Sequence, residues 1–260
     1  MFGRLAAGVL ALFTIAFSGL PAEAQEQVRL ATRPGVTQSF WVVEPAGPPA
    51  ASVVLLVGGS GVIGQLPPGL QRGNFLSRSR DLFAAQGFLV AIPDVPSDQP
   101  AGMTGFRGST EHATDIAAVI AWLRKKSTAP VWLVGTSLGT ISAANAAARL
   151  TAGGPDGLVL TSSIITPSRR EGSVRASVDV STIAIPTLFV HNREDACPIC
   201  PFDRIAGLMD AFKRVPRKEL LAVSGGDTPK SGPCEGLSRH GYIGIEREVV
   251  AGIGHWIKGG

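Results

Sequence analysis

Apolar residues along the chain occur in two patterns that alternate. Residues 52–57, 88–92 and 131–134 form short, nearly continuous apolar runs, which are typical of strands buried on both faces. Between the second and the third run, at 110–126, apolar residues recur every three or four positions, as on one face of a helix. Strands that alternate with helices predict βαβ units with right-handed crossovers. We therefore expect an α/β domain built on a mostly parallel sheet.

The remaining elements follow from the same patterns and from the Gly and Pro residues that end them. We expect further strands at 28–32, 39–44, 158–161, within 183–190 and at 219–223, and further helices at 75–86, 141–150, 202–212 and 243–257. No internal repeat interrupts this order. The chain is therefore expected to fold as a single domain over residues 25–260.

The N-terminal segment follows neither pattern. Arg4 precedes a nearly continuous apolar run at 5–17, a Gly and a Pro break the run, and Ala22 and Ala24 are the small residues that a signal peptidase reads. The run is shorter than the roughly 20 residues of a transmembrane helix, which favours a cleaved signal peptide over an anchor. We therefore expect residues 1–24 to be removed and the mature protein to be periplasmic or extracellular, without stable membrane insertion. Disulfides persist in those compartments.

Composition narrows the range of functions. With 260 residues, 45% of them hydrophobic, the chain can bury a sizeable core. The net charge of +4 comes from scattered cations, and only 6% of the residues are aromatic, so nucleic-acid binding is not expected. Arg107 or Arg169 could bind an acidic group of a substrate, but both are interpreted as solvated surface charges. The Cys residues come without a ligand set of suitable spacing, and we expect neither a metal nor an organic cofactor.

The candidate chemistry centres on Gly-Thr-Ser-Leu-Gly at 135–139, directly after the apolar run at 131–134. A helix of small residues is predicted to follow, so Ser137 lies in a sharp turn between strand and helix. Such a turn holds the serine hydroxyl exposed at the end of the sheet and directs the backbone N–H of Leu138 towards a developing oxyanion. A purely structural Gly-Ser-Gly turn is the alternative, but the flanking strand and helix favour Ser137 as a nucleophile.

A serine nucleophile needs a general base, and the base needs a carboxylate that orients it. The chain offers four His residues. His240 is favoured because it lies in a loop after the last strand, where the chain returns to the edge that carries Ser137. His255, in the closing helix, is the alternative. His112 is expected on the surface, and His191 is expected to be structural or to line the site.

The acid is expected in the loop that follows the strand within 183–190, which contains Glu194 and Asp195. Asp195 lies just past the strand end, between the serine and the histidine in chain order, and is our prediction for the orienting carboxylate. Glu194 could replace it. Asp203 lies farther on, near a helix start, where a carboxylate is expected because of the helix dipole alone.

A second oxyanion donor is expected in the loop after the strand at 52–57. This loop begins with Gly-Gly-Ser-Gly at 58–61, and its glycines allow backbone N–H groups to face a substrate. We predict that the N–H groups of Ser60 and Leu138 form the oxyanion hole, with Gly59 as the next candidate. The pocket walls are expected from residues 62–72, 96–107 and 164–170.

Together these motifs resemble the α/β-hydrolase superfamily, in particular its small secreted or periplasmic serine hydrolases. The resemblance rests on the loop at 58–61, the turn at 135–139, Asp195 past its strand and His240 before the last helix, and it covers the whole mature chain. It implies the α/β-hydrolase fold, with a mostly parallel central sheet and helices on both faces. The short segment 164–182 leaves room for a minimal cap or none.

The resemblance also implies an activity. A serine esterase of this superfamily cleaves a small-molecule carboxylic ester through an acyl-enzyme and needs no cofactor. In this chain Ser137 would attack, His240 would shuttle the proton and Asp195 would orient the imidazole.

The three Cys residues all lie in the last quarter of the chain. Cys197 is close to the predicted acid, and Cys234 lies shortly before the predicted base. A disulfide between them would tie the two loops together and leave Cys200 free. The alternatives are a Cys200–Cys234 bond and a local Cys197–Cys200 pair.

Two other functions fit parts of the sequence. Residues 59–64 spell Gly-x-Gly-x-x-Gly after a strand, which is the fingerprint of a nucleotide-dependent oxidoreductase. Pro67 and Pro68 interrupt the helix that should follow, and Asp94 is the only acid available for the ribose, so this function is disfavoured. The chain could also be a hydrolase-like binding protein without catalysis.

Overall fold

The computed structural model describes residues 25–64, 73–167 and 172–260, and the predicted signal peptide lies outside them. Within these ranges the strands form one sheet: β1 (Gln25–Arg33), β2 (Val36–Val43), β3 (Ala51–Leu56), β4 (Phe88–Pro93), β5 (Val131–Thr136), β6 (Gly157–Thr161), β7 (Thr187–Asn192) and β8 (Lys218–Val223). Their order across the sheet is β1-β2-β4-β3-β5-β6-β7-β8. The β1–β2 and β2–β4 pairs are antiparallel, and the other neighbouring pairs are parallel. The prediction of a mostly parallel sheet is confirmed.

Helices cover both faces of this sheet. In the described ranges they are α1 (Phe75–Ala85), α2 (Thr110–Lys126), α3 (Gly139–Arg149), α4 (Val174–Ser177), α5 (Ile205–Ala211) and α6 (Glu246–Ile257). Helices α2, α3 and α5 contribute to an apolar core on one face, and α1 and α6 contribute to a second core on the other. The sheet is therefore enclosed between two layers of helices.

The central strands β3, β4 and β5 are buried at every residue. Successive side chains of a strand point to opposite faces, so a strand between two cores must be apolar throughout. In β3, Val54 and Leu56 pack into the core beside α2 and α3, while Val53 and Leu55 pack into the core beside α1 and α6. The continuous apolar runs in the sequence arise from this double burial.

Some elements begin elsewhere than predicted. Strand β7 starts after Pro186, and α5 is preceded by a 3-10 turn, Phe202–Arg204. Helix α6 starts at Glu246 instead of residue 243. Tyr242 and Gly244 have φ values of 58° and 82°, and such left-handed backbone cannot continue a right-handed helix.

The connection from β6 to β7 is short. In its described parts it contains only the four-residue α4 and a 3-10 turn, Val180–Thr182. No helical cap therefore covers the carboxyl edge of the sheet from this connection, as far as it is described. Among the residues that the structure describes, no helix has both the length and the apolar character needed to cross a membrane.

Candidate active site

Ser137 lies in the turn between β5 and α3, with a φ of 52°, which residues other than glycine rarely adopt. Both flanking glycines are required by close approach. A Cβ on Gly135 would lie 2.5 Å from the Gly139 carbonyl oxygen, and a Cβ on Gly139 would overlap that of Leu56. The Ser137 N–H donates to the Thr161 carbonyl at 3.0 Å, which fixes the turn to the end of β6. The predicted sequence of strand, sharp turn and helix is present.

The acid and the base predicted from chain order meet in the structure. His240 Nδ1 lies 2.8 Å from Asp195 Oδ2, and Asp195 Oδ1 accepts the Cys197 N–H at 2.9 Å. The side chains of His240 and Asp195 are 4% and 0% exposed. Burial alone would raise the pKa of Asp195, but hydrogen bonds from His191 and His240, together with the charge of the latter, hold this pKa below its ordinary value of 3.8. The carboxylate is therefore ionised at neutral pH.

The remaining ring nitrogen of His240 is available. Because a carboxylate only accepts, Nδ1 carries the hydrogen, and Nε2 of the neutral ring has a lone pair. Nε2 is buried and has no hydrogen-bond partner among the described residues. His240 and Ser137 line the same cavity, which has a volume of about 360 Å³. A histidine with an unpaired ring nitrogen that lines the same cavity as a serine is a candidate acceptor for the serine proton.

The walls of this cavity differ from the prediction. They are formed by the loop after β3, the start of α1 and the loop before α6. Val62 and Ile63 are predicted wall residues that line the cavity, whereas residues 65–72 lie outside the described ranges. The described parts of 96–107 and 164–170 do not line it, so these two predictions are wrong for the residues that can be checked.

Asn74 lines the cavity and was not predicted. It is the N-cap of α1, and its Oδ1 accepts the Leu76 N–H at 3.0 Å. A Cβ on Gly58 would lie 3.3 Å from Asn74 Nδ2, so the amide nitrogen lies beside the loop after β3. An Asn directly before a predicted helix start at residue 75 is an N-cap signal that could have been used.

The loop after β3 is shaped by its glycines. A Cβ on Gly58 would lie only 2.8 Å from the Cβ of Ser137, so a side chain at this position would collide with the turn. Gly59 has a φ of 60°, and both Gly59 and Ser60 are exposed and line the cavity. Leu138 is the residue directly before α3, where backbone N–H groups favour negative charge. The roles of Gly59, Ser60 and Leu138 as oxyanion donors stay predictions.

Arg107 is buried beneath this loop and is not a solvated surface residue, so the expectation from the sequence is wrong. Its guanidinium donates to the Gly59 carbonyl and to the Ser142 hydroxyl, each at 3.0 Å. The side chain therefore connects the loop after β3 with α3. No sequence motif marks an arginine that acts by such contacts.

His112 is buried as well, which corrects its predicted surface position. Burial, followed by the positive charges of Arg107 and Arg33, lowers the pKa of His112 from 6.5 to about 3. The ring is therefore neutral at physiological pH, and it is not part of the acid–base pair.

His191 is fully buried beside the acid, in agreement with the predicted structural role. Its Nε2 lies 2.9 Å from the Cys200 carbonyl oxygen and 3.5 Å from Asp195 Oδ2. Since a carbonyl only accepts, Nε2 carries a hydrogen and supports the carboxylate. His255 is exposed on α6.

The alternative acids make other contacts. Glu194 forms an ion pair with Arg239 and accepts the Gly225 N–H at 2.8 Å. Asp203 is exposed in the 3-10 turn before α5. Neither is hydrogen-bonded to a histidine in the contacts of the described residues, so Asp195 remains the candidate.

Cys197 and Cys234 form a disulfide, and Cys200 is free and buried, as predicted. The bond connects the loop after β7, which contains Asp195, with the loop that leads to His240. One group of potential metal ligands exists in the described ranges, namely Cys197, Cys200 and His240. Because the Cys197 sulfur is used in the disulfide, this group does not form a ligand set.

The dinucleotide fingerprint lacks its structural context. In the described part of the motif, residues 61–64 are irregular, and α1 begins only at Phe75. The Asp94 carboxylate accepts the N–H groups of Ile63 and Gly64 at 2.8 and 3.0 Å. It therefore stabilises the loop instead of being available to a ribose.

No protein-family model matches the sequence, and no curated protein matches it either. Solved structures do match. They include an esterase of Pyrococcus furiosus, with 16% identity over 91% of this chain and 92% of that chain and a TM-score of 0.63. An α/β serine hydrolase homologue from Coxiella burnetii has 15% identity over 90% and 95% of the two chains and a TM-score of 0.59. An α/β serine hydrolase without lid from Xanthomonas campestris has 15% identity over 92% and 94% and a TM-score of 0.57.

These matches extend over nearly the full length of both chains, and at such identities they concern the fold. The mostly parallel sheet with helices on both faces is consistent with that fold. This chain therefore has the α/β-hydrolase fold, in an open form in which the described residues between β6 and β7 build no cap.

Proposed function

We propose that this protein is a serine hydrolase that cleaves carboxylic esters of small molecules through an acyl-enzyme. One observation carries the proposal: Asp195 holds His240 by Nδ1 at 2.8 Å, Nε2 has no hydrogen-bond partner among the described residues, and His240 lines the same cavity as Ser137. Buried polar groups are normally hydrogen-bonded, and an exception beside a serine with a positive φ is typical of a catalytic site. The structural neighbours named as esterases and serine hydrolases support the same chemistry.

In the proposed mechanism Ser137 Oγ attacks the ester carbonyl carbon while His240 Nε2 accepts the serine proton. The ionised Asp195 stabilises the imidazolium through the Nδ1–H. The carbonyl oxygen becomes an oxyanion, and we expect the N–H groups of Ser60 and Leu138 to stabilise it. The Gly59 N–H is the alternative to the Ser60 N–H.

The tetrahedral adduct then collapses. The bond to the leaving oxygen breaks, and His240 returns its proton so that the alcohol departs. Water attacks the acyl ester on Ser137, and His240 again accepts a proton. The second collapse releases the carboxylic acid and restores the serine. The sum converts one ester and one water molecule into an acid and an alcohol.

The size of the cavity bears on the substrate. Its volume of about 360 Å³ is near the lower end of the range of small-molecule sites, which is about 300–1,000 Å³. We therefore expect esters with short acyl chains to be turned over faster than esters with long ones.

Labelling with a fluorophosphonate and hydrolysis of chromogenic esters graded by acyl length test the proposal. We expect the wild type to be labelled and active, and Ser137→Ala to be unlabelled with kcat at least about 10⁴-fold lower. Ser79→Ala is the matched control, because Ser79 is a buried serine in α1 that does not line the cavity. A wild type that is neither labelled nor active would favour the binding protein without catalysis.

We also propose that the protein is exported to the periplasm or the medium. Residues 1–24 have the pattern of a signal peptide, and the Cys197–Cys234 disulfide suits an oxidising compartment. Expressed with residues 1–24 in a Gram-negative host, the protein should be recovered outside the cytoplasm with Gln25 as its first residue. An intact mass that still includes residues 1–24, found in the cytoplasm, would contradict export.

A further inference from the structure

Among the described residues, three other than glycine have a positive φ: Ser137 at 52°, Ser162 at 43° and Tyr242 at 58°. This backbone conformation is unfavourable for residues with a Cβ and persists where the surroundings enforce it, often at functional sites. Ser137 is the proposed nucleophile. Ser162 and Tyr242 have no part in the mechanism above, yet both are fully buried, and Tyr242 is the only tyrosine of the chain.

Ser162 and Tyr242 are hydrogen-bonded to each other. The Ser162 N–H donates to Tyr242 Oη at 3.1 Å, and the two hydroxyl oxygens are 2.9 Å apart. Tyr242 Oη donates to the Val190 carbonyl at 2.9 Å. Ser162 Oγ donates to the His240 carbonyl at 2.7 Å. These contacts are called the Ser162–Tyr242 latch below.

The latch joins the strands that carry the candidate site. Val190 lies in β7, which leads into the loop of Asp195. Thr161, the residue before Ser162, accepts the N–H of Ser137 at 3.0 Å. Two adjacent residues at the end of β6 therefore hold the two sides of the site: Thr161 holds the turn with the serine, and Ser162 holds the backbone of the histidine.

We propose that Ser162 and Tyr242 are positioning residues: the latch fixes the backbone of His240 so that its imidazole meets Asp195 on one side and Ser137 on the other. The inference rests on the proposed function, because it names what holds the proposed base. The disulfide restrains the same loop at Cys234, six residues earlier in the sequence. The latch acts on the histidine itself and on the second residue after it.

The physical argument is one of distance. A misplacement of reacting groups by about 1 Å can lower a rate by about 10²-fold, and an imidazole has only two side-chain torsions with which to compensate for a shifted backbone. Burial raises the pKa of Tyr242, so the phenol stays protonated and can donate to the Val190 carbonyl throughout the range in which an esterase works.

Tyr242→Phe tests the phenol. The variant removes Oη and keeps the ring, which packs against Phe75 with centroids 4.8 Å apart. We expect kcat for a short-chain chromogenic ester to fall about 10- to 100-fold while KM stays within about 2-fold, because the substrate cavity is unchanged and the base is displaced.

Ser162→Gly and Ser162→Ala separate the hydroxyl from the backbone. Both variants remove Oγ, but only glycine adopts a φ of 43° without strain. We expect the same loss of kcat in both variants and a lower thermal midpoint for Ser162→Ala than for Ser162→Gly. A purely structural role of Ser162 predicts instead that activity follows the midpoint. Ser79→Ala, another buried serine, controls for the loss of a buried hydroxyl.

A second readout does not depend on turnover. The proton on His240 Nδ1, shared with Asp195, should give a downfield NMR signal in protein labelled with ¹⁵N-histidine, assigned by its absence in His240→Gln. We expect this signal to shift or disappear in Tyr242→Phe and Ser162→Gly. The far-UV circular dichroism spectra of both variants should match that of the wild type, which shows that they are folded.

The outcomes separate the two proposals. If Tyr242→Phe and Ser162→Gly both keep the wild-type Nδ1 signal and the wild-type kcat, the proposed role of the latch is overturned. If Tyr242→Phe does not fold, the two Ser162 variants decide alone. If the wild type hydrolyses no ester but its Nδ1 signal is lost in the variants, the proposed function fails and the latch stands.

Discussion

His112 is a buried residue whose charge state is set by burial and by nearby charges. Both ring nitrogens are buried and have no hydrogen-bond partner among the described residues. The ring lies 5.7 Å from that of Phe106 and shares a small cavity with Arg107 and Asp94. Burial and the nearby arginines lower the pKa of His112 to about 3, so the folded protein resists protonation of this ring.

This pKa predicts an acid-dependent loss of stability. In the unfolded chain His112 takes up its proton near pH 6.5, and in the folded chain only near pH 3. Between these values the unfolded state binds more protons than the folded state. The free energy of unfolding is therefore unaffected by His112 above pH 6.5 and decreases as the pH falls towards 3, by up to about 1.4 kcal/mol per pH unit. Urea unfolding of the wild type and of His112→Leu from pH 8 to pH 4 measures this slope, which the variant should reduce.

The leucine variant suits this test because it loses no hydrogen bond seen among the described residues. His255→Gln, which changes an exposed histidine, is the control and should keep the wild-type slope. An unchanged slope in His112→Leu would mean that the ring is accessible to protons in the folded state, and the assigned burial would then be wrong.

Among single residues, those with a proposed catalytic role could be predicted because a sequence motif or a known chain order marks them. Residues that support the site without such a motif could not be predicted. Ser137 was predicted from a turn pattern, and Asp195 and His240 from the order of triad members along the chain. The contacts by which Arg107 and Tyr242 support the site were not predicted. Each contacts backbone carbonyls that are far away in sequence, and such contacts depend on the folded geometry and not on any local pattern.

At the scale of elements, burial on both faces explains why the three central strands could be predicted. Strands β3, β4 and β5 were predicted to within two residues because their continuous apolar runs have one structural explanation. Helix α2 was predicted at its observed bounds, Thr110–Lys126. Its N-cap Ser109 accepts the His112 N–H at 3.0 Å, and three basic residues lie in its last turn, so local signals and packing agree.

Where local and tertiary signals differ, the boundaries were wrong. Ile243 and Ile245 continue the apolar spacing of α6, which suggested a helix from residue 243. The chain instead turns at Tyr242 and Gly244, whose left-handed backbone cannot belong to the helix. A spacing rule cannot detect this, since it treats a buried isoleucine of a turn and one of a helix alike.

At the scale of the whole molecule, the sheet has a parallel part and an antiparallel part. The parallel strands from β4 to β8 carry the candidate site, whereas β1 and β2 form an antiparallel hairpin at the edge. The end of this hairpin is held by Arg33, which binds Asp115 on α2 through Nε at 2.9 Å and a terminal nitrogen at 3.0 Å. Asp115 is fully buried, and Arg33 also binds Asp98 at the surface.

The buried ion pair therefore predicts how the edge hairpin depends on the rest of the protein. Arg33→Met leaves Asp115 buried without its cationic partner, and we expect the free energy of unfolding to fall by about 3 kcal/mol, near the lower end for a broken buried pair because the Thr32 hydroxyl still donates to this carboxylate. Arg33→Met/Asp115→Leu removes the stranded charge and should recover much of the loss, since replacing both partners by apolar groups is often neutral. Asp98→Asn, which breaks only the surface contact, should cost at most about 1 kcal/mol.

Urea unfolding at pH 7 measures the stability of all three variants. Their ester turnover per folded molecule should match the wild type, because the hairpin lies at the far edge of the sheet from Asp195 and His240. A double variant as unstable as Arg33→Met would show that packing, and not the unpaired charge, accounts for the cost.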